Sequence, residues 1–209
     1  HCAHLMVDNR KMSKSEGNFY TLRDLTDKGL EGREIRWVLL GTHYRQSLNF
    51  TIESCRDAKA ALQRIDDVIH RLREAAEQPT VEKDAVGRRC RDAEEAFRNG
   101  LEDDLNISAA LAALFDLVRD VNRRLDAGTV GGEAAHAVLD RLRAFDTVLG
   151  CLDVDAETDV PENVARLVEE RRQARKDRDF GRADEIRDAL LAEGWVVEDT
   201  PSGPRIKRA

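Results

Sequence analysis

The sequence predicts a mainly α protein, with a short strand hairpin near its start and a small α+β unit at its end. Three observations carry that expectation. Ala, Leu, Arg, Asp and Glu recur throughout while aromatic residues make up only 5%, a composition that favours helices over a sandwich or barrel. Apolar residues return at helical spacing in successive stretches between Thr51 and Gly150, each closed by a breaker. With 209 residues, 41% of them hydrophobic, one or two compact domains can bury a real core.

Taken in order, Leu5 to Val7 reads as a strand, Asp8-Asn9 as its turn and Arg10-Lys11-Met12 as the returning arm of a hairpin. Ser13 to Asn18 has no apolar residue and is expected to be an exposed, mobile loop. Thr21 is placed to cap a short helix, and Ile35, Val38 and Leu39 form the stripe of another that Gly41 stops. Thr51 then caps a long helix whose stripe is Ile52, Cys55, Leu62, Ile65, Ile69 and Leu72, ended by Pro79. A further helix around Val86, Cys90 and Phe97 is expected to stop at Asn99-Gly100. Another runs from Ile107 through Leu125 to Gly128, and a fourth carries Leu139, Leu142, Phe145 and Leu149 to Gly150. Stripes joined by short turns must cover one another, which predicts an antiparallel helical bundle.

From Asp153 to Asp159 the chain is acidic and nearly devoid of large side chains, as suits a linker. Pro161 fits the first turn of a helix over Val164 to Arg175, a second helix spans Arg182 to Ala192, and a break is expected near Phe180-Gly181. Trp195-Val196-Val197 and Arg205-Ile206-Lys207 flank Thr200-Pro201-Ser202-Gly203 as a terminal β-hairpin.

No apolar run reaches the roughly 18 residues of a membrane span, and the start of the chain lacks a signal-peptide design, so no membrane partner is expected. The net charge of −7 argues against indiscriminate nucleic-acid binding. Two places are nevertheless locally basic. Arg10, Lys11 and Lys14 cluster near the start, and Arg205, Lys207 and Arg208 crowd a tail with no acid after Asp199. Cys2, Cys55, Cys90 and Cys151 are scattered, without the paired spacing of a zinc site or the density of a secreted scaffold, which fits a reducing cytoplasm.

One run carries chemistry. Lys11-Met12-Ser13-Lys14-Ser15, followed by Gly17, sets two lysines three apart on a serine-bearing loop. Two ammonium groups, hydroxyls and free amides of this kind can close over a polyphosphate and stabilise charge building on a departing pyrophosphate. The run KMSKS is the signature loop of class I aminoacyl-tRNA synthetases. The likeness extends to Val7-Asp8, Gly17-Asn18-Phe19, Thr21-Leu22-Arg23-Asp24, Thr42-His43-Tyr44-Arg45 and Leu48-Asn49-Phe50. Glu102-Asp103-Asp104-Leu105-Asn106 with Ala109-Ala110-Leu111 continues it, as do Ala174 to Phe180, Ala183 to Asp188 and Glu198 to Pro201 with Gly203. Together these stretches resemble the C-terminal half of the cysteinyl-tRNA synthetase family.

That resemblance implies ATP-dependent activation of cysteine and its transfer to tRNA(Cys). It implies that Lys14 acts on the ATP phosphates with Lys11 assisting, and that Met12, Ser13 and Ser15 complete an ATP-binding loop. Residues 1–50 would be the end of a catalytic domain with the KMSKS loop and stem-contact segment, 51–158 a helical bundle, and 159–209 an anticodon-binding unit. In that unit Trp195, Arg205, Lys207 and Arg208 are the expected tRNA contacts, since splayed bases stack and expose their edges. ATP enters as substrate. Zinc belongs to the whole enzyme by resemblance, with ligands outside this chain, and the remaining partner would be an N-terminal catalytic half. A monomer, inactive in isolation, is the expectation. Two other readings stand beside it: a cysteine ligase of thiol biosynthesis that joins cysteine to an amino-sugar, and a non-catalytic RNA-binding helical module.

Several residues invite other readings. His1, Cys2 and His4 cluster, but alternation along a strand would send them to both faces, so no metal site is expected there. Cys55, Cys90 and Cys151 lie on or beside apolar stripes and read as buried thiols. His70 and His136 read as surface or packing residues, and Trp37 as core. Trp195 reads equally as a core plug or a stacking platform. The alternating Arg and acid from Glu169 to Asp188 reads as a solvated, salt-bridged face.

Overall fold

In the computed structural model the described residues are 3–80, 83–155, 161–200 and 203–208, the side chains at 162, 198–200, 203–205, 207 and 208 excepted. Among them are eight helices and five short strands, in two units that divide after Asp155.

The first unit begins with the hairpin that Asp8-Asn9 dictates. Leu5–Val7 (β1) and Arg10–Lys11 (β2) pair antiparallel, Val7 opposite Arg10. Asp8 and Asn9 take φ of +49° and +63°, the left-handed pair that a tight hairpin turn needs and that Asp and Asn tolerate. Leu48–Phe50 (β3) pairs in parallel with the other edge of β1, Val7 opposite Phe50, so the sheet order is β2-β1-β3. Parallel neighbours require a crossover, and here it holds Leu22–Thr26 (α1) and Gly32–Leu40 (α2). Thr21 and Asp24 start α1 with a reciprocal capping box. In α2 the buried arc runs from Trp37 through Glu34 and Val38 to Ile35; Leu39, expected on that stripe, falls just outside it and is 48% exposed.

Thr51 caps Ile52–Ala76 (α3) by accepting the Ser54 amide, and Cys55, Leu62, Ile65, Ile69 and Leu72 are buried along it. Lys83–Glu102 (α4) runs straight through Asn99-Gly100, where the sequence predicts a stop. Gly100 serves close packing instead. A Cβ there would lie 2.7 Å from the backbone nitrogen of Ala110, so the glycine lets α4 pass tightly over the start of Ile107–Asp126 (α5). The chain turns at Asp104 and Leu105. Glu133–Leu149 (α6) ends on Gly150 in the left-handed conformation, as the pattern predicts. The helices α3 to α6 share one core, in which Phe97 and Phe145 stack with centroids 4.2 Å apart and Trp37 meets Phe115 edge-on at 5.8 Å.

The expected linker starts too early. Cys151, Leu152 and Val154 are buried, and arginines from three helices hold this stretch to the first unit. Arg33 pairs with Asp153, Arg73 donates to the Val154 carbonyl at 2.6 Å, and Arg143 pairs with Asp155 at 2.7 Å. Arg36 donates to the Leu149 and Val148 carbonyls, placing a cation at the C-terminus of α6, where the helix dipole favours one.

The second unit has its own small core. Glu162–Lys176 (α7) and Phe180–Ala192 (α8) pack through Val164, Val168, Ile186 and Leu190. The break between them falls at Asp177 to Asp179, earlier than the sequence predicts. Arg178 takes φ +60°, and the Asp179 carboxylate caps α8 by accepting the Arg182 amide at 3.0 Å, so Phe180-Gly181 opens the helix. Trp195–Thr200 (β4) and Gly203–Arg208 (β5) form the terminal antiparallel pair, with Pro201 and Ser202 of its turn outside the described residues.

Two glycines of α4 separate helix preference from packing. In Gly87→Ala the new methyl meets nothing nearer than the Arg91 guanidinium at 3.7 Å, so it should gain about 0.5–1 kcal/mol of helix preference. Gly100→Ala is expected to lose about 1–3 kcal/mol, because overpacking against backbone outweighs that gain. Urea midpoints measure both, and a Gly100→Ala chain as stable as its parent would contradict the packing assigned to α4 and α5.

Candidate functional site

The loop after β2 is built from its own polar atoms. The Met12 amide donates to the Leu5 carbonyl at 3.2 Å and its side chain packs on the core, which continues the hairpin one residue past β2. Asn18 then closes the loop from both sides. Its Oδ1 accepts the Ser13 amide at 2.9 Å and its Nδ2 donates to the Lys11 carbonyl at 3.1 Å. Inside this clamp the Ser13 and Ser15 hydroxyls lie 2.6 Å apart, the Ser15 amide donates to Ser13 Oγ, and the Gly17 amide donates to the Lys14 carbonyl. Gly17 sits at φ +68°, a conformation that suits glycine. Lys14 to Gly17 are exposed as expected, whereas Ser13 and Asn18 are half-buried.

Both lysines of the run are exposed, and Lys14 Nζ rests 5.3 Å from the centre of the Phe19 ring, a weak cation–π contact that water and a polyanion can replace. The loop thus carries two exposed cations and two hydroxyls within five residues. Such a set suits a polyphosphate, because charged donors to phosphate oxygens are the strong ones.

Below the loop, residues 43–50 fasten the hairpin. The Asn9 amide donates to Asn49 Oδ1 at 2.7 Å, the Asp8 amide to the Phe50 carbonyl at 3.3 Å, and the Ala3 amide to the Tyr44 carbonyl at 2.9 Å. Tyr44 and Arg45 both reach Asp104 in the α4–α5 turn. The Tyr44 hydroxyl donates to Oδ1 at 2.6 Å, Arg45 contacts Oδ2 at 3.1 Å, and His43 Nε2 lies 2.9 Å from the Asp104 carbonyl.

In the second unit Trp195 is 4% exposed, packed with Val164, Val168, Ile186 and Leu190. Of the two readings of Trp195, the structure bears out the core plug and not the stacking platform, which corrects its expected place among the tRNA contacts: the ring fills the core of a unit with few other large side chains. Arg205, Lys207 and Arg208 lie on β5 opposite Glu198, Val196 and Trp195, and their side chains fall outside the described residues. Phe180, which sequence reasoning passed over, is 60% exposed at the head of α8 with Arg175, Lys176 and Arg178 exposed just before it. Ion pairs such as Arg172–Glu169 and Arg182–Glu170, each at 2.6 Å, make a salt-bridged helical face, while Arg171 is buried.

Burial pushes the thiols of Cys55 and Cys90 up, and that of Cys151 to about 11. Among the described residues no group of three His, Cys, Asp or Glu side chains is arranged to hold a metal ion. These residues do not fit a zinc centre. His1 and Cys2 lie outside the described residues, while His4 and His136 are exposed and His70 is half-buried beside Glu74 at 3.4 Å. No described helix is long and apolar enough to cross a membrane.

Spacing does not single out Asn18, Asn49 or Asp104: Asn49 and Asp104 act on partners 40 and about 60 residues away, and Asn18 acts on backbone groups of its own loop, which no side-chain pattern marks. The only local sign is chemical: Asn offers a donor and an acceptor on one short side chain.

Comparison with known proteins agrees along the chain. Residues 1–60 match the family described as tRNA synthetases class I (C) catalytic domain, 96–153 match the DALR domain, and 157–204 match the Cysteinyl-tRNA ligase anticodon binding domain. A cysteine–tRNA ligase of Chlamydia abortus is 45% identical over 211 residues, covering 100% of this chain and 44% of the relative. One from Protochlamydia amoebophila is 43% identical over 210 residues, with 100% and 43% covered. The chain spans less than half the length of these curated relatives. Among solved structures, the LeuRS-tRNA-LeuAMS ternary complex of Agrobacterium radiobacter K84 agnB2 matches at a TM-score of 0.52 and 20% identity, covering 70% of this chain and 20% of that one, which is a likeness of fold. Over its whole length the chain is homologous to the C-terminal portion of the cysteinyl-tRNA synthetases, class I aminoacyl-tRNA synthetases, with catalytic tail, DALR and anticodon-binding regions in that order.

Proposed function

We propose that the chain is part of a cytoplasmic, monomeric cysteine–tRNA ligase that converts ATP, cysteine and tRNA(Cys) to cysteinyl-tRNA(Cys), AMP and diphosphate. The observation that carries this is the clamped loop: Lys11 and Lys14 exposed on a turn closed by Asn18, in a chain similar throughout to such ligases. ATP is the substrate of this loop. Lys14 stabilises the negative charge that builds on the leaving diphosphate as the cysteine carboxylate attacks the α-phosphorus, and Lys11 shares that charge. The Ser13 and Ser15 hydroxyls donate to phosphate oxygens, and Met12 anchors the loop while its neighbouring backbone lines the adenine side. An N-terminal catalytic half supplies the other wall of the site and the zinc ligands.

Residues 1–50 then form the catalytic tail and stem-contact segment, 51–158 an antiparallel helical bundle, and 159–209 the anticodon-binding unit. There Arg205, Lys207 and Arg208 meet phosphates, while exposed Phe180 among basic residues takes over the stacking role expected of Trp195. The match of residues 157–204 to an anticodon-binding domain favours tRNA over an amino-sugar as acceptor.

In the intact protein, Lys14→Ala should lower the rate of cysteine-dependent ATP–pyrophosphate exchange by about 10²-fold, with KM for ATP changed far less, because the lysine acts on developing charge. Equal effects on both, or an unchanged rate, would contradict the role given to Lys14. Asn18→Ala leaves both lysines in place but removes two hydrogen bonds of about 1 kcal/mol each. It should speed tryptic cleavage at Lys11 and Lys14 several-fold, and unchanged cleavage would count against the clamp.

A further inference from the structure

The α4–α5 turn holds two consecutive non-glycine residues in left-handed backbone, Asp104 at φ +52° and Leu105 at φ +57°. Such a conformation brings Cβ close to the following carbonyl and is unfavourable for a leucine, and Leu105 is largely exposed, so its burial does not offset the strain. What the turn achieves is the aim of Asp104. Its carboxylate receives the Tyr44 hydroxyl at 2.6 Å and the Arg45 guanidinium at 3.1 Å, and its carbonyl lies 2.9 Å from His43 Nε2. Asp104 and Arg45 are 45% and 66% exposed, so each contact alone is modest, and the tether lies in one carboxylate being shared by two donors.

From that tether a continuous set of contacts leads to the loop. The Tyr44 carbonyl accepts the Ala3 amide ahead of β1, β3 pairs with the whole of β1, and Asn49 of β3 accepts the Asn9 amide two residues before Lys11. The geometry points to Asp104 as a positioning residue, whose carboxylate holds residues 43–45 and through β3 and β1 fixes where the Lys11–Ser15 loop sits. This rests on the proposed ATP role of that loop. Reacting groups displaced by about an ångström lose much of their rate, so a tether remote from the lysines still governs them.

Two variants test this. Asp104→Gly removes the carboxylate and relieves the backbone, so it does not penalise the turn itself, while Asp104→Asn keeps an acceptor and tolerates left-handed backbone. Arg98→Ala, which breaks an i,i+4 pair with Glu94 on α4, is the control. Hydrogen exchange of the chain should quicken at residues 8–15 on the order of tenfold in Asp104→Gly, less in Asp104→Asn, with α5 and α6 unchanged in both. In the intact protein kcat for ATP–pyrophosphate exchange should fall on the order of tenfold in Asp104→Gly, with KM for cysteine unaltered and most of the rate restored in Asp104→Asn. Unchanged exchange at residues 8–15 overturns the inference, as does a loss spread evenly over α3 to α6, which marks a merely structural residue. A parental protein with no cysteine-dependent activity, alongside a loosened loop in Asp104→Gly, overturns the ligase reading and not the tether.

Discussion

Strand β1 is three residues long, is paired along both of its edges, and buries Val7 in the core of the first unit. A two-stranded hairpin this short is not stable in water, so the β2 arm and the Lys11–Ser15 loop depend on the parallel partner β3. That partner is itself delivered by structure. The crossover through α1 and α2 carries the chain back so that β3 lies beside β1, and α2, with Ile35, Trp37 and Val38 buried, packs on α3. The placement of an exposed cationic loop therefore rests on a buried helical core, and a loop of few contacts gains rigidity from elements that have many.

Arginines extend that dependence along the first unit. Arg33 ties α2 to Asp66 of α3 at 2.8 Å and to Asp153, while Arg36 caps α6. These contacts explain why the stretch after α6 stays with the first unit, although its composition reads as a linker: Val154 and Leu152 are buried and the acids are each taken up by a cation. The second unit needs no such ties for its own core, since Trp195 supplies in one side chain much of the apolar volume that a short segment lacks.

What was legible in the sequence is what local chemistry decides. Asp8-Asn9 announces its hairpin through tolerance of left-handed backbone, Thr21 and Thr51 announce helices through their caps, and the α3 stripe announces its buried face. What was not legible depends on distant partners. Nothing around Leu48 marks it as a parallel neighbour of Leu5. Gly100 looks the same whether a helix stops there or another backbone passes closely, and only the contact with Ala110 decides. The two readings of Trp195, core plug or stacking platform, could not be separated for the same reason, because residue type does not state whether a ring faces the core or solvent. In the site itself the lysines were legible from the motif, whereas the Asn18 clamp and the Asp104 tether emerged only once the chain was folded.

In the proposed function these parts join in a ligase for one tRNA, with a terminal unit that reads the anticodon. Fluorescence anisotropy of the chain with a tRNA(Cys) transcript and with the same transcript carrying an altered anticodon, across a salt series, tests it most directly. Phosphate contacts are common to both RNAs and weaken together as salt rises, so the difference between them isolates the reading of bases. A terminal unit that reads the anticodon binds the transcript with the correct anticodon more tightly at every salt concentration; equal binding to the two transcripts would contradict the proposed function.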